Sequence, residues 1–149
     1  MRRSAHALVA ALALVGVAGA ASAEPTPIQA YRQSVMKAFG AHAAAIKTAL
    51  VDETSLAGDV VAHARAIEAL SASIPKMFPE GTGEGDTDAL PSVWSDSAGF
   101  AAASTKSAEL AAALVKAAES GDNAAALAAF AALGKDGCGG CHGVFRKKS

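Results

Sequence analysis

Aromatic residues are scarce in this chain: one Trp, one Tyr and five Phe among 149 residues, 5% in all. Strands favour β-branched and aromatic side chains, so this poverty disfavours a β-sandwich or barrel. No run of alternating polar and apolar residues is long enough to be read as a strand. An excess of one charge is lacking too. Thirteen basic against 14 acidic residues give a formal charge of -1, which excludes a generally basic nucleic-acid binder. Two cysteines cannot build a disulfide-rich scaffold, and no repeat is evident beyond a bias to alanine. That bias is large, at 40 residues, and it makes the 52% hydrophobic content misleading. Alanine permits close helix approach but buries little area per residue, so a modest core is expected, one that gains from something else filling it. The length suits one ordinary domain.

The N-terminus reads as an address. Arg2 and Arg3 precede an apolar run from Ala7 to Ala20, and Ala21-Ser22-Ala23 follows at once. A positive start, a short apolar stretch and an A-x-A cleavage site are the parts of a secretory signal. The run is shorter than the roughly 20 residues that span a bilayer. Residues 1–23 are therefore expected to be removed, leaving residues 24–149 as the mature domain in a bacterial periplasm, with 11 basic against 14 acidic side chains. No other segment is expected to enter a membrane stably.

The mature chain reads as four helices. Pro25 and Pro27 open the first, where proline is tolerated in the first turn. Ile28, Tyr31, Val35, Phe39, Ile46 and Leu50 then recur at helical spacing, predicting a helix over 27–50. A second follows a turn at 52–58, with Val60, Ala64, Ile67, Leu70 and Ile74 on one stripe, and ends at Pro75. Residues 76–91, rich in glycine, acids and proline, form a long loop. The third helix begins near Pro91, carries Trp94, Phe100, Leu110 and Leu114, and stops at Ser120-Gly121. Asp122 or Asn123 caps a fourth that includes Leu127, Phe130 and Leu133 and runs toward Arg146. Short connections make neighbours antiparallel, so the expected fold is an all-α, up-down-up-down four-helix bundle.

The chemistry lies near the C-terminus, in Cys138-Gly139-Gly140-Cys141-His142. C-x-x-C-H is the signature of covalent c-type haem attachment. Two thiols three positions apart share a helical face and can add to the two vinyl groups of one porphyrin, while the adjacent histidine reaches iron. Other readings compete. A thioredoxin-like pair belongs near a βαβ pattern, absent here. A closed zinc site wants four ligands, and only His42 or His63 could supply the fourth. A Cys138–Cys141 disulfide would leave His142 without a purpose. Gly134, Gly137, Gly139 and Gly140 crowd the same segment, each costing roughly 0.8–1 kcal/mol in a helix interior, so the apo-protein is expected to be frayed here.

The ending from Cys138 through Gly143-Val144-Phe145-Arg146 to Lys148 resembles that of class II c-type cytochromes, the cytochrome c′ family, which carry C-x-x-C-H-x-x-[FY]-R near the C-terminus of a four-helix bundle. Tyr31-Arg32-Gln33-Ser34-Val35-Met36 and the loop from Phe78 through Gly81, Gly85 and Asp86 to Leu90-Pro91-Ser92-Val93-Trp94 are similar to the same family, in the same order. The resemblance implies one covalent haem c on Cys138 and Cys141, with His142 as proximal ligand. It places Met36 at the sixth coordination position. High-spin members leave that site empty and bind nitric oxide or carbon monoxide. The low-spin cytochromes c-556, which this chain resembles more closely through Met36-Lys37-Ala38-Phe39-Gly40, fill it with methionine. The resemblance also puts Phe78 and Phe145 near the proximal face, and it implies a homodimer in many members.

Elementary geometry points the same way. In an antiparallel pair the start of the first helix lies beside the end of the fourth, so Met36 and His142 sit near one end of the bundle. Arg32, Met36, Phe39 and Gly40 share a side of the helix; methionine is also an ordinary filler of core gaps. Arg32 is placed to pair with a haem propionate, since a guanidinium fork suits carboxylates. Among rival ligands, Met77 follows Pro75 at the mouth of the loop, and His42 lies about 120° around the helix from Met36. His42 and His63 are both read as solvent-facing. Trp94 is expected to pack near the ring. The favoured expectation is a periplasmic electron carrier with His/Met-ligated haem, serving redox partner proteins, and not an enzyme. The alternative is a five-coordinate cytochrome c′ that traps nitric oxide or carbon monoxide.

Overall fold

A computed structural model of the protein describes residues 24–52 and 56–148. The export signal expected at 1–23 lies outside the described residues.

Helix α1, Pro27–Val51, starts where the sequence supplies a cap: the Thr26 amide donates to Gln29 Oε1 at 2.8 Å, and Pro27 occupies the first turn. Val35, Ile46, Ala49 and Leu50 are buried as the helical period requires. The first turns differ from expectation. Gln29 and Arg32 face inward, whereas Tyr31 is 52% exposed. The reason is what packs there. Loop 78–91 presents backbone carbonyls that need donors, which Gln29 and Arg32 provide to Thr82, Glu84 and Met77.

Helix α2, Val60–Ser71, buries Val60, Ala64 and Ile67 between α1 and α4. It stops short of Pro75, and Ile74–Met77 forms a tighter 3-10 turn that still buries Ile74 and Met77. The third predicted helix is broken at Asp96. Short helix α3, Ser92–Ser95, precedes helix α4, Ser97–Glu119, and the Asp96 carboxylate caps α4 by accepting from the Gly99 amide at 3.0 Å. Helix α5, Asn123–Ala132, begins at Asp122, whose carboxylate accepts from the Ala124 and Ala125 amides. It runs on without a break through a π-helical stretch, Leu133–Gly139, into helix α6, Gly140–Phe145. The glycine-rich segment thus keeps a helical course but widens. A Cβ on Gly139 would lie 3.2 Å from the Gly134 carbonyl oxygen five residues back, so glycine lets that turn close.

Helices α1, α2, α4 and the α5–α6 arm make the expected all-α four-helix bundle. Among the described residues the only β-type pairing is a single bridge between Ala89 and Arg146, which ties the loop to the end of the chain. Two apolar clusters fill the interior. Ile46, Leu50, Val60, Ile67, Leu114 and Leu133 belong to one. Val35, Ile74, Met77, Val93, Phe100 and Phe145 form the other, with Met36 and Cys141 packed on it. Between them lies a gap.

Candidate cofactor site

That gap is a cavity of about 690 Å³, bordered by α1, α2, loop 78–91, α4 and the α5–α6 arm. Its size falls within the roughly 300–1,000 Å³ typical of cofactor sites. Met36, Phe39, Gly40 and Ala43 line it from α1, and Leu133, Gly134, Cys138, Cys141, His142 and Phe145 line it from the opposite arm. Arg32 and Phe78 complete the wall, so every site residue singled out from the sequence borders this one space.

Cys138 stands exposed at the mouth and Cys141 is half-buried, both as free thiols. Surrounding protein pushes both thiols above the usual range, with the neighbouring Cys138 adding to the effect on Cys141. His142 is shifted the other way. Burial first, then the positive charge of Arg146, lowers its pKa and favours the neutral imidazole, the form that offers a lone pair to a metal.

Arg32 is only 4% exposed. Its guanidinium donates to the Met77 carbonyl at 3.3 Å, the Thr82 carbonyl at 3.2 Å and Thr87 Oγ1 at 2.9 Å, and it lies over the Phe78 ring. Burial lowers its pKa. Among the described residues no carboxylate pairs with it; the one ion pair is Arg65 with Glu119 on the surface. A buried cation held by neutral oxygens at a cavity wall fits an anionic group in the cavity, such as a propionate. An apolar slot, a thiol pair, a neutral imidazole and an uncompensated guanidinium together suit a haem c.

Several expectations need correction. Trp94 does not line the cavity; its indole N–H donates to the Phe78 and Pro79 carbonyls at 3.1 and 3.0 Å, so it anchors the loop that carries Phe78. Met77 is 1% exposed within the apolar cluster and does not border the cavity, which removes it as a rival ligand. His42 and His63 are not simply solvent-facing. They are half-buried, and their Nδ1 atoms lie 3.0 Å apart across α1 and α2. Sequence reasoning also missed Thr87, the hydroxyl partner of Arg32, and Ser71 and Ser107 in the wall. Nothing in a loop threonine's neighbourhood along the chain marks it as the partner of a residue 55 positions earlier.

The family model described as Cytochrome C′ matches residues 27–146. A cytochrome c′ from Pararhodospirillum photometricum is 41% identical over 126 residues, which cover 84% of this chain and all of that one. Among solved structures, the nitric oxide complex of a mutant cytochrome c prime from Alcaligenes xylosoxidans superposes with a TM-score of 0.75 at 30% identity, covering 82% of this chain and 94% of the other. A carbon monoxide-bound variant of the same protein gives a TM-score of 0.75 at 31% identity, covering 85% and 98%.

Proposed function

The chain belongs to the cytochrome c′ family, whose cofactor is covalent haem c, and on that premise we propose that it binds nitric oxide or carbon monoxide at a haem iron held by His142. Cys138 and Cys141 would carry the porphyrin and Arg32 a propionate. When bound, the haem would supply an iron centre able to take a diatomic ligand.

The observation that carries this reading is the part of the α1 wall made by Met36, Phe39, Gly40 and Ala43, which is apolar or small, while Arg32, Gln33 and Lys37 border the cavity from the same helix. Distal polarity and hydrogen-bond donors decide between oxygen activation and simple ligand binding. Neutral diatomics such as carbon monoxide and nitric oxide need no donor, and this wall offers none from those four side chains. Two solved structures of one relative, both of substituted forms, carry these gases. The c-556-like assignment rested on Met36-Lys37-Ala38-Phe39-Gly40, and none of the relatives reported above bears that name.

One observation favours a second reading. The Met36 thioether borders the same cavity as His142, from a different helix. Methionine ligation there would give a six-coordinate electron carrier for redox partner proteins, with no open site for a substrate. An exported, periplasmic protein, as a monomer or homodimer, accords with either reading. No described helix is long and apolar enough to cross a membrane.

Electron paramagnetic resonance of the ferric holoprotein, with absorption spectra of the ferrous form before and after carbon monoxide, separates the two. A high-spin ferric signal and an immediate spectral change with gas support the gas binder. A low-spin signal in wild type that Met36→Ala converts to high spin supports the carrier and overturns the gas reading.

A further inference from the structure

Thr87 carries a donor that the fold does not use. A hydroxyl offers one proton and two acceptor lone pairs. Both acceptor positions of Thr87 Oγ1 are filled: the Arg32 guanidinium donates to it at 2.9 Å and the Ala89 amide at 3.1 Å. Among the described residues it donates to none in return. The residue is 8% exposed and borders the haem cavity. We propose that Thr87 is a second anion-binding residue of this site, its hydroxyl donating to the haem propionate that Arg32 faces. The inference rests on a propionate lying at Arg32, and it is independent of whether the iron takes a gas or Met36.

Burial carries the argument. A buried donor left without an acceptor loses the hydrogen bond it made in water, at roughly 1–3 kcal/mol. With both lone pairs engaged, the hydroxyl proton takes the remaining tetrahedral direction, and the cavity is the open space that Thr87 borders. A carboxylate there would accept from Thr87 and Arg32 together. Arg32 Nη2 and Thr87 Oγ1 are 2.9 Å apart, close enough for one carboxylate to span both. Hydrogen bonds to an ionised acceptor are roughly twice as strong as those between neutral groups.

Charge at the mouth does not single out this place. Lys37 and Arg146 border the cavity, but so do Asp86 and Asp88, and all four are exposed. Opposite signs there offset one another and solvent screens them. The buried donors, Arg32 and Thr87, are what mark a position for a carboxylate. The loop at Thr87 is also anchored without the hydroxyl. The Thr87 amide donates to the Gly85 carbonyl at 2.9 Å, and the Thr87 carbonyl accepts from Lys147 Nζ at 2.7 Å. The Lys147 amide donates to the Asp88 carbonyl at 2.8 Å. A substitution confined to the hydroxyl therefore leaves the backbone held.

The test is a crystal structure of the ferric holoprotein, with resonance Raman spectra and midpoint potentials of wild type, Thr87→Val and Thr87→Ser. The propionate bending band reports hydrogen bonding to the carboxylate. The expected structure places a propionate oxygen within about 3.0 Å of Thr87 Oγ1. Thr87→Val, matched in shape, shifts the band and lowers the potential, because a less neutralised carboxylate favours ferric iron. Thr87→Ser, which restores the hydroxyl, returns both toward wild type. Lys147→Met loosens the same loop but keeps the hydroxyl, and leaves the band in place. A propionate at Arg32 with Thr87 out of reach, an unmoved band in Thr87→Val, or an equal shift in Lys147→Met overturns the proposal. Should Thr87→Val fail to fold, the distance in the wild-type crystal decides. Propionates turned away from both Arg32 and Thr87 overturn the premise along with the proposal. The gas-binding reading is judged separately, by spin state and carbon monoxide.

Discussion

The guanidinium carbon of Arg32 lies 4.5 Å from the centroid of the Phe78 ring, and both side chains border the haem cavity. This contact joins the first helix to the loop that closes the site. The same arginine donates to Met77, Thr82 and Thr87, so one residue fixes the loop and presents positive charge to the cavity.

Arg32→Ala is expected to cost roughly 1.5–3 kcal/mol, the worth of hydrogen bonds to a charged group, because it strips donors from three loop oxygens. Urea unfolding of the holoprotein measures it. Arg32→Lys keeps the charge but loses the fork and the stacking over Phe78, so it should recover only part of the loss.

Met36→Ala removes a side chain that borders the cavity shared with His142 and, on the gas-binding reading, stands in the way of the ligand. Pushing a side chain off its rotamer costs of order 0.5–1.5 kcal/mol. Carbon monoxide affinity of the ferrous protein should therefore rise by up to about tenfold. Unchanged affinity would show that Met36 does not obstruct the iron.

The apo-protein should be loose at the end that holds the haem. In Cys138→Ala/Cys141→Ala, the π-helical stretch and the start of α6 have no cofactor to pack on, and Gly134, Gly137, Gly139 and Gly140 together weigh against them by about 3–4 kcal/mol. Hydrogen exchange should show low amide protection over 134–146 with the rest of the bundle protected. Full protection there would contradict this.

The fraction of that apo variant in which the haem end is closed should lose stability on acidification through His142. Its folded-state pKa is lowered by burial and by Arg146. The unfolded chain then binds the proton more readily, so stability is complete above the ordinary imidazole pKa of about 6.5 and declines as pH falls toward the lower folded value. His142→Gln in the apo background should flatten that part of the stability profile, as read by thermal unfolding at a series of pH values.

Much of this was legible along the chain because the signals are local. Helical period, proline starts and the Asp122 cap require only neighbours within a turn or two, and the C-x-x-C-H spacing is itself a statement about one helical face. The misreadings came where distant chain decided. Tyr31 fits the apolar stripe of α1, yet Gln29 and Arg32 take the inside because loop carbonyls 45 to 55 residues away require donors. His42 and His63 look like isolated polar residues flanked by alanine, and only the packing of α1 on α2 makes them partners.

The sequence by itself determined the class of fold and the C-x-x-C-H spacing of Cys138, Cys141 and His142, since period and spacing are properties of short segments. The tertiary structure decided what surrounds them: which side chains share the cavity with His142, that Trp94 holds a loop instead of facing the cavity, and that, among the described residues, no carboxylate pairs with the buried Arg32. These depend on contacts between segments far apart in the chain, whose register no local pattern encodes.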